Sequence, residues 1–273
     1  MGSDLRSKKK KRVKTLAVIF TGWMLIFLYL PILVVILFSF NTSKLNIEFK
    51  GFTLAWYARM LENTALMQSF KNTLVVAGAS MLLTVFIGTI AAVGMYRYSF
   101  KGKSVVDSLL YIPIVIPEIV MGISLLSIFT MAGITTGMMT LIIAHVTFSL
   151  PFVVITVRAR VAGFERSIEE AAMDLGATRL RTFTRVTLPV ITPGVMSGAM
   201  LALTLSLDDV VVSFYTTGID SVTLPIKIFS MVRAGVSPDV NALCTVIILG
   251  TLLIMLVSQM YKNRSQKREK GNI

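Results

Sequence analysis

Three carboxylates stand where carboxylates are costly. Asp208 and Asp209 end one long apolar run, and Glu118 sits inside another, directly after Pro117. A carboxylate at the centre of a bilayer costs about 2.5–3.5 kcal/mol on insertion scales, so it usually faces a cavity or a partner. No Lys or Arg lies within the apolar spans drawn below to pair with them. Such groups can offer weak sites to a cation, or they can cap a helix and accept structural hydrogen bonds. Asp209 admits both a functional and a structural reading, whereas Asp208 and Glu118 favour the functional one. Tyr215, at the end of Val210-Val211-Val212-Ser213-Phe214-Tyr215, is grouped with them as a candidate pathway residue.

Other chemistry finds little support. His145 is the only histidine and lies in an apolar run, where packing or an interhelical hydrogen bond accounts for it better than a metal site. Gly102-Lys103-Ser104 resembles the end of a phosphate-binding loop, but Arg97 stands where the earlier glycine is required and no strand precedes it. Cys244 alone permits no internal disulfide. No nucleophile–base pattern appears, so the chain reads as a non-enzyme.

Positioning falls to long apolar segments. The chain has 273 residues, 55% of them hydrophobic, which indicates a polytopic membrane protein. Run lengths of about twenty residues favour helices over a barrel. The expected spans are 16–40, 73–96, 105–130, 138–157, 188–207 and 240–261. A basic N-terminus, 1–15, precedes them and a basic tail, 262–273, follows. Residues 41–68 hold Trp56 and Tyr57, with Leu54, Tyr57 and Leu61 at helical spacing, and suggest a short interfacial helix. Placing the N-terminus inside puts 21 of the 27 Lys and Arg residues on the cytoplasmic side, which argues for six transmembrane helices with both termini cytoplasmic. The formal charge of +13 therefore marks orientation in a lipid bilayer, not nucleic acid. Gly194, Gly198, Ala202 and Ser206 recur every four residues and allow close helix contact.

One charged stretch, residues 158–190, interrupts the apolar pattern. Ser167 and Glu170 have capping-box spacing, which predicts a helix starting at Ile168. Phe164, Ile168, Ala172 and Leu175 share a face. Gly176 suits the left-handed residue that closes such a helix. A second short helix is expected over 178–187, ended by Pro189.

The spacing Glu170-Ala171-Ala172, three residues, Gly176, nine residues, Val186, one residue, Leu188-Pro189 resembles the cytoplasmic coupling loop of ABC importer permeases, with Val where that family often has Ile. The resemblance extends over about residues 30–260, through Gly51-Phe52-Thr53, Tyr96-Arg97-Tyr98, Pro117-Glu118-Ile119-Val120-Met121, Leu150-Pro151-Phe152 and Ser206-Leu207-Asp208-Asp209, to Gly235-Val236-Ser237-Pro238. Within that family the chain is most similar to permeases for spermidine and putrescine. The resemblance implies an all-α type I ABC importer transmembrane domain over 69–261, in a bacterial cytoplasmic membrane. It implies Glu170, Ala171, Ala172, Gly176, Leu188 and Pro189 as the ATPase-coupling residues. It also implies as partners a homologous second permease subunit, two ATPase subunits carrying ATP-Mg, and an extracytoplasmic substrate-binding protein. No cofactor is expected in this chain. Competing readings are a permease for another small or cationic solute, an ion-coupled secondary transporter, and a membrane scaffold. The last two leave the coupling loop or the carboxylates unexplained.

Overall fold

The computed structural model describes residues 2–44, 47–234 and 238–253, with side chains from Lys14 onward except that of Ala234. It is helical almost throughout, with one isolated antiparallel bridge between Asn41 and Phe52. The helices are α1 (Gly2–Phe38), α2 (Ala55–Glu62), α3 (Thr64–Arg97), α4 (Lys103–Val115), α5 (Glu118–Met131), α6 (Met138–Ala162), α7 (Ser167–Asp174), α8 (Arg179–Thr182), α9 (Leu188–Asp208), α10 (Val211–Thr216), α11 (Leu224–Ala234) and α12 (Pro238–Leu253).

Among the described residues, four stretches are long and apolar enough to cross a membrane: Lys14–Phe38, Thr64–Arg97, Met138–Ala162 and Arg179–Asp208. The expected span 105–130 is instead two helices, α4 and α5, bent by 112°. Pro117 causes this, because it lacks an N–H and drives the preceding residue out of the helical region. Ile116 accordingly takes φ −69°, ψ 134°. Counted together, α4 and α5 make a fifth span. Of the expected sixth, α12 covers the first part. Residues 254–261, the tail 262–273 and Gly235-Val236-Ser237 lie outside the described residues.

The chain divides into two compact units, one of residues 1–64 with 231–273 and one of residues 65–230. In the first, buried Asn41 organises the loop after α1. Its Oδ1 accepts from the backbone N–H groups of Ser43 at 3.2 Å and Lys50 at 2.9 Å, and its Nδ2 donates to Glu48 O at 2.7 Å. Trp56 Nε1 donates to Asn41 O at 2.6 Å. That bond turns the Trp56 and Met60 face of α2 inward and leaves Leu54 and Leu61 exposed.

The second unit is built around α6, half of whose most apolar stretch is buried, against a third for α3 and for Arg179–Asp208. Val153, Val154, Val157 and Val161 of α6 pack with Ala92, Val93 and Met95 of α3 and Ile191 and Ala202 of α9. A smaller cluster joins Leu125 and Phe129 of α5 with Ala144 and Phe148 of α6 and Val212 of α10. The stripe of Gly194, Gly198, Ala202 and Ser206 is buried against α6 of the same chain. A Cβ at Gly194 would come within 2.6 Å of Arg160 Cβ, and one at Gly198 within 3.3 Å of Val153 Cγ1. Lipid tails are as apolar as Leu, so close packing of this kind is what drives such helices together.

Candidate functional site

The stretch 158–190 folds at one end of the second unit. α7 starts at Ser167, one residue before the expected start, and the capping box does not form. Ser167 Oγ instead donates to Glu165 Oε2 at 3.5 Å, and Glu170 pairs with Arg166 on the surface at 3.1 Å. The helix closes as expected at Gly176, whose φ is +87°. Gly176 N–H bonds Met173 O at 2.9 Å and Ala177 N–H bonds Ala172 O at 3.1 Å, the paired bonds of a Schellman ending. Ala171 is exposed and Ala172 half-buried, while Ile168 and Leu175 are 47% and 90% exposed, leaving an apolar knob uncovered.

The second helix is shorter than expected and does not end at Pro189. Thr178 caps α8, accepting from Arg181 N–H at 3.4 Å. A π turn, Phe183–Thr187, follows, in which Leu188 N–H reaches back to Phe183 O. Such a widened turn accommodates an irregularity in the hydrogen-bond ladder that would break a regular helix. Leu188 and Pro189 thus form the first turn of α9.

Sequence reasoning missed the acidic residue that anchors α7. Glu169 is the helix's one buried side chain; it pairs with Arg97 at the end of α3 and accepts from Thr187 Oγ1. It also missed the pairing of Arg158 on α6 with Asp107 on α4. For Arg97 and Glu169 the signal available was opposite charges assigned to the same side of the membrane.

At the other end of α9, the adjacent acids separate. Asp208 is the last residue of α9 and is exposed; Glu118 opens α5 and is also exposed. Neither carboxylate bonds another described residue. Asp209 is 8% exposed and caps α10, accepting from Val212 N–H at 3.2 Å, Ser213 N–H at 2.7 Å and Ser213 Oγ at 2.6 Å. Its carboxylate also lies 3.5 Å from His145 Nε2. His145 makes the interhelical bonds expected of it, Nδ1 to Ser206 Oγ at 2.6 Å and Nε2 to Ser213 Oγ at 2.9 Å. Ser80 Oγ on α3 donates to Ser206 Oγ at 3.3 Å. Half-buried Tyr215 lays its ring over Gly122, where a Cβ would sit 2.7 Å from Cδ2. Gly122 is one turn beyond Glu118 on α5, so the Tyr215 ring of α10 packs against the turn of α5 that follows Glu118.

The field along α9 distinguishes these acids further. A helix C-terminus carries partial negative charge and an N-terminus partial positive charge. Glu118 and Asp209 stand at helix N-termini, which favour them. Asp208 adds its charge to a negative end, with no cation among the described residues to offset it.

The family described as binding-protein-dependent transport system inner membrane component matches residues 84–270. The spermidine/putrescine transport system permease protein PotC of Escherichia coli (strain K12) is 42% identical over 247 residues, 90% of this chain and 94% of that protein. The putrescine transport system permease protein PotI of the same organism is 38% identical over 249 residues, 89% of each chain. A chain of a bacterial ABC transporter involved in the import of the acidic polysaccharide alginate shares the fold, with a TM-score of 0.71 at 12% identity over 93% of this chain and 96% of that one. The family match takes in the 158–190 stretch, Glu118, Asp208 and the helices that position them; the chain belongs to the inner membrane components of binding-protein-dependent transport systems.

Proposed function

We propose that this chain is a permease subunit of an ATP-driven ABC importer that carries polyamines, spermidine or putrescine, across the bacterial cytoplasmic membrane by alternating access. The observation that carries the cationic cargo is Asp208, an exposed carboxylate at the negative end of α9 with no partner among the described residues. The relatives named for spermidine and putrescine support the same cargo. Asp208 and Glu118 offer weak sites to successive amines, and Tyr215 presents an aromatic face beside Glu118. Weakness is required, since a path that binds tightly does not release its cargo.

In this reading six helices span the membrane with both termini in the cytoplasm. The 158–190 loop is the cytoplasmic coupling element: Ala171, Ala172 and Gly176, with the exposed Ile168 and Leu175, enter a groove on an ATPase subunit. Glu170 lies beside that knob, and Leu188-Pro189 join it to α9. A homologous second permease completes the pathway, two ATPase subunits bind and hydrolyse ATP with magnesium, and an extracytoplasmic binding protein delivers the cargo.

The test is reconstitution of the co-purified subunits in liposomes with labelled spermidine. Uptake should require ATP inside the coupled complex and be competed by putrescine but not by amino acids. Uptake that follows an ion gradient without an ATPase would assign the chain to secondary transport. Competition by unrelated cations alone would replace the polyamine cargo.

A further inference from the structure

α7 is attached to its unit in an unusual way. Glu169 is the only buried side chain of this eight-residue helix, and a carboxylate, not an apolar residue, makes the attachment. Its side chain is 4% exposed and that of Arg97 21%. Beside the pair lies a cavity of about 540 Å³, lined by Ile90, Val93, Tyr98, Met173 and Phe183 among others. Little apolar packing therefore fills the space between α3 and α7, and the Arg97–Glu169 pair spans it. Thr187, the third member, closes the π turn from which α9 departs. Arg97 also reaches Thr187 Oγ1 at 3.5 Å, so the three groups contact one another pairwise.

We propose that Glu169 is a positioning residue for transport: the Arg97–Glu169–Thr187 clamp forces α3 and α9 to follow a displacement of α7. Apolar contacts allow one surface to slide over another, whereas a buried ion pair holds specific atoms together, because separating it leaves charges without partners. α9 has 21 residues, a rod of roughly 30 Å. Its near end is held at Thr187 and its far end carries Asp208, so a pull on Glu169 reaches the candidate cargo site through one helix. The proposal rests on the reading of 158–190 as the coupling loop.

The experiment uses the assembled transporter in liposomes, measuring ATP hydrolysis and spermidine uptake in the same vesicles. Single substitutions at Arg97 or Glu169 would strand a buried charge, so the informative variant is the neutral pair Arg97→Gln with Glu169→Gln. It should assemble and hydrolyse ATP as the parent does, with uptake per ATP lower by about tenfold or more once the clamp is released. Glu169→Asp, shorter by one methylene, should fall between, and the exchanged pair Arg97→Glu with Glu169→Arg should recover part of the loss. Parental uptake per ATP in the neutral pair would overturn the clamp. So would a proportional fall of hydrolysis and uptake, or a failure to assemble, either of which makes the pair a static joint. Ala172→Arg examines the coupling reading separately. If that variant still binds the ATPase normally, the loop is not the docking element. If it does not, and only the neutral pair behaves as the parent, the clamp alone fails.

Discussion

Replacing Asp209 by Ala removes the acceptor of three bonds at once, those from Val212 N–H, Ser213 N–H and Ser213 Oγ. Loss of a helix cap costs about 0.5–2 kcal/mol, and a buried donor left without an acceptor costs about 1–3 kcal/mol. The two costs overlap, so a total of about 3 kcal/mol is expected. Asp209→Asn is milder. Its carbonyl oxygen can keep both bonds to Ser213 and lose only the longest, from Val212, at about 1 kcal/mol. Asp208→Asn, one residue earlier, breaks no bond among the described residues and removes a charge that the end of α9 disfavours, so it should not lower stability. Its effect is on cargo: a charge-assisted contact contributes about 1.5–3 kcal/mol, and each 1.4 kcal/mol is about tenfold. Uptake at sub-saturating spermidine should therefore fall by about one to two orders of magnitude. The paired assays are thermal unfolding in detergent, followed by size exclusion of a fluorescent fusion, and vesicle uptake with expression matched. At about 2–4 °C per kcal/mol, Asp209→Ala should lower the midpoint by roughly 6–12 °C. The reasoning is refuted if Asp209→Ala unfolds at the parental temperature, or if Asp208→Asn transports normally.

Four further outcomes are expected. With Cys244→Ala as background, Arg179→Cys should resist an impermeant thiol reagent on sealed cells while Ile134→Cys reacts; prompt labelling at 179 reverses the proposed topology. Gly176→Val meets a φ of +87° that costs an L-residue about 1–2 kcal/mol or more, and ATPase capture should fail while membrane insertion survives. Gly194→Val drives a side chain against the Cβ of Arg160, which no rotamer can move, and overpacking of about 1–3 kcal/mol should show in thermal unfolding; Gly78→Ala, with nothing within 4 Å, is the control. Gly122→Ala displaces the Tyr215 ring beside Glu118, so spermidine uptake should fall with assembly intact, and unchanged uptake removes Tyr215 from the pathway.

Features carried by local spacing were legible in the sequence. The four-residue repeat of small side chains found its partner in α6, and Gly176 closed its helix. Features set by distant partners were not. Glu169 and Glu170 are adjacent and chemically identical, and they point about 100° apart on a helix. Which one turns inward is decided by Arg97, more than seventy positions earlier. Asp107 looked like one more residue of an apolar run because Arg158 answers it from two helices away. The capping box failed because Glu165 and Arg166, outside the pattern, took Ser167 and Glu170 as partners. Pro189 looked like a terminator because a π turn leaves no mark in residue type; the five-residue reach from Leu188 to Phe183 lets the chain pass through a proline into α9.

The contacts around His145 also have a direction. Ser80 gives its hydrogen to Ser206. Ser206 is then free to aim its own hydrogen at His145 Nδ1, which a singly protonated ring offers as a bare nitrogen. The ring's hydrogen on Nε2 goes to Ser213, whose hydrogen ends on Asp209 Oδ2. All four hydrogens run head to tail toward one carboxylate, which accepts and has no hydrogen to return, so the row has a single sense. It stitches together α3, α9, α6 and the start of α10 at a single level. A slip of α9 past α6 by one residue, roughly 1.5 Å, would break two of its links together. At this level the four helices are fastened into one block.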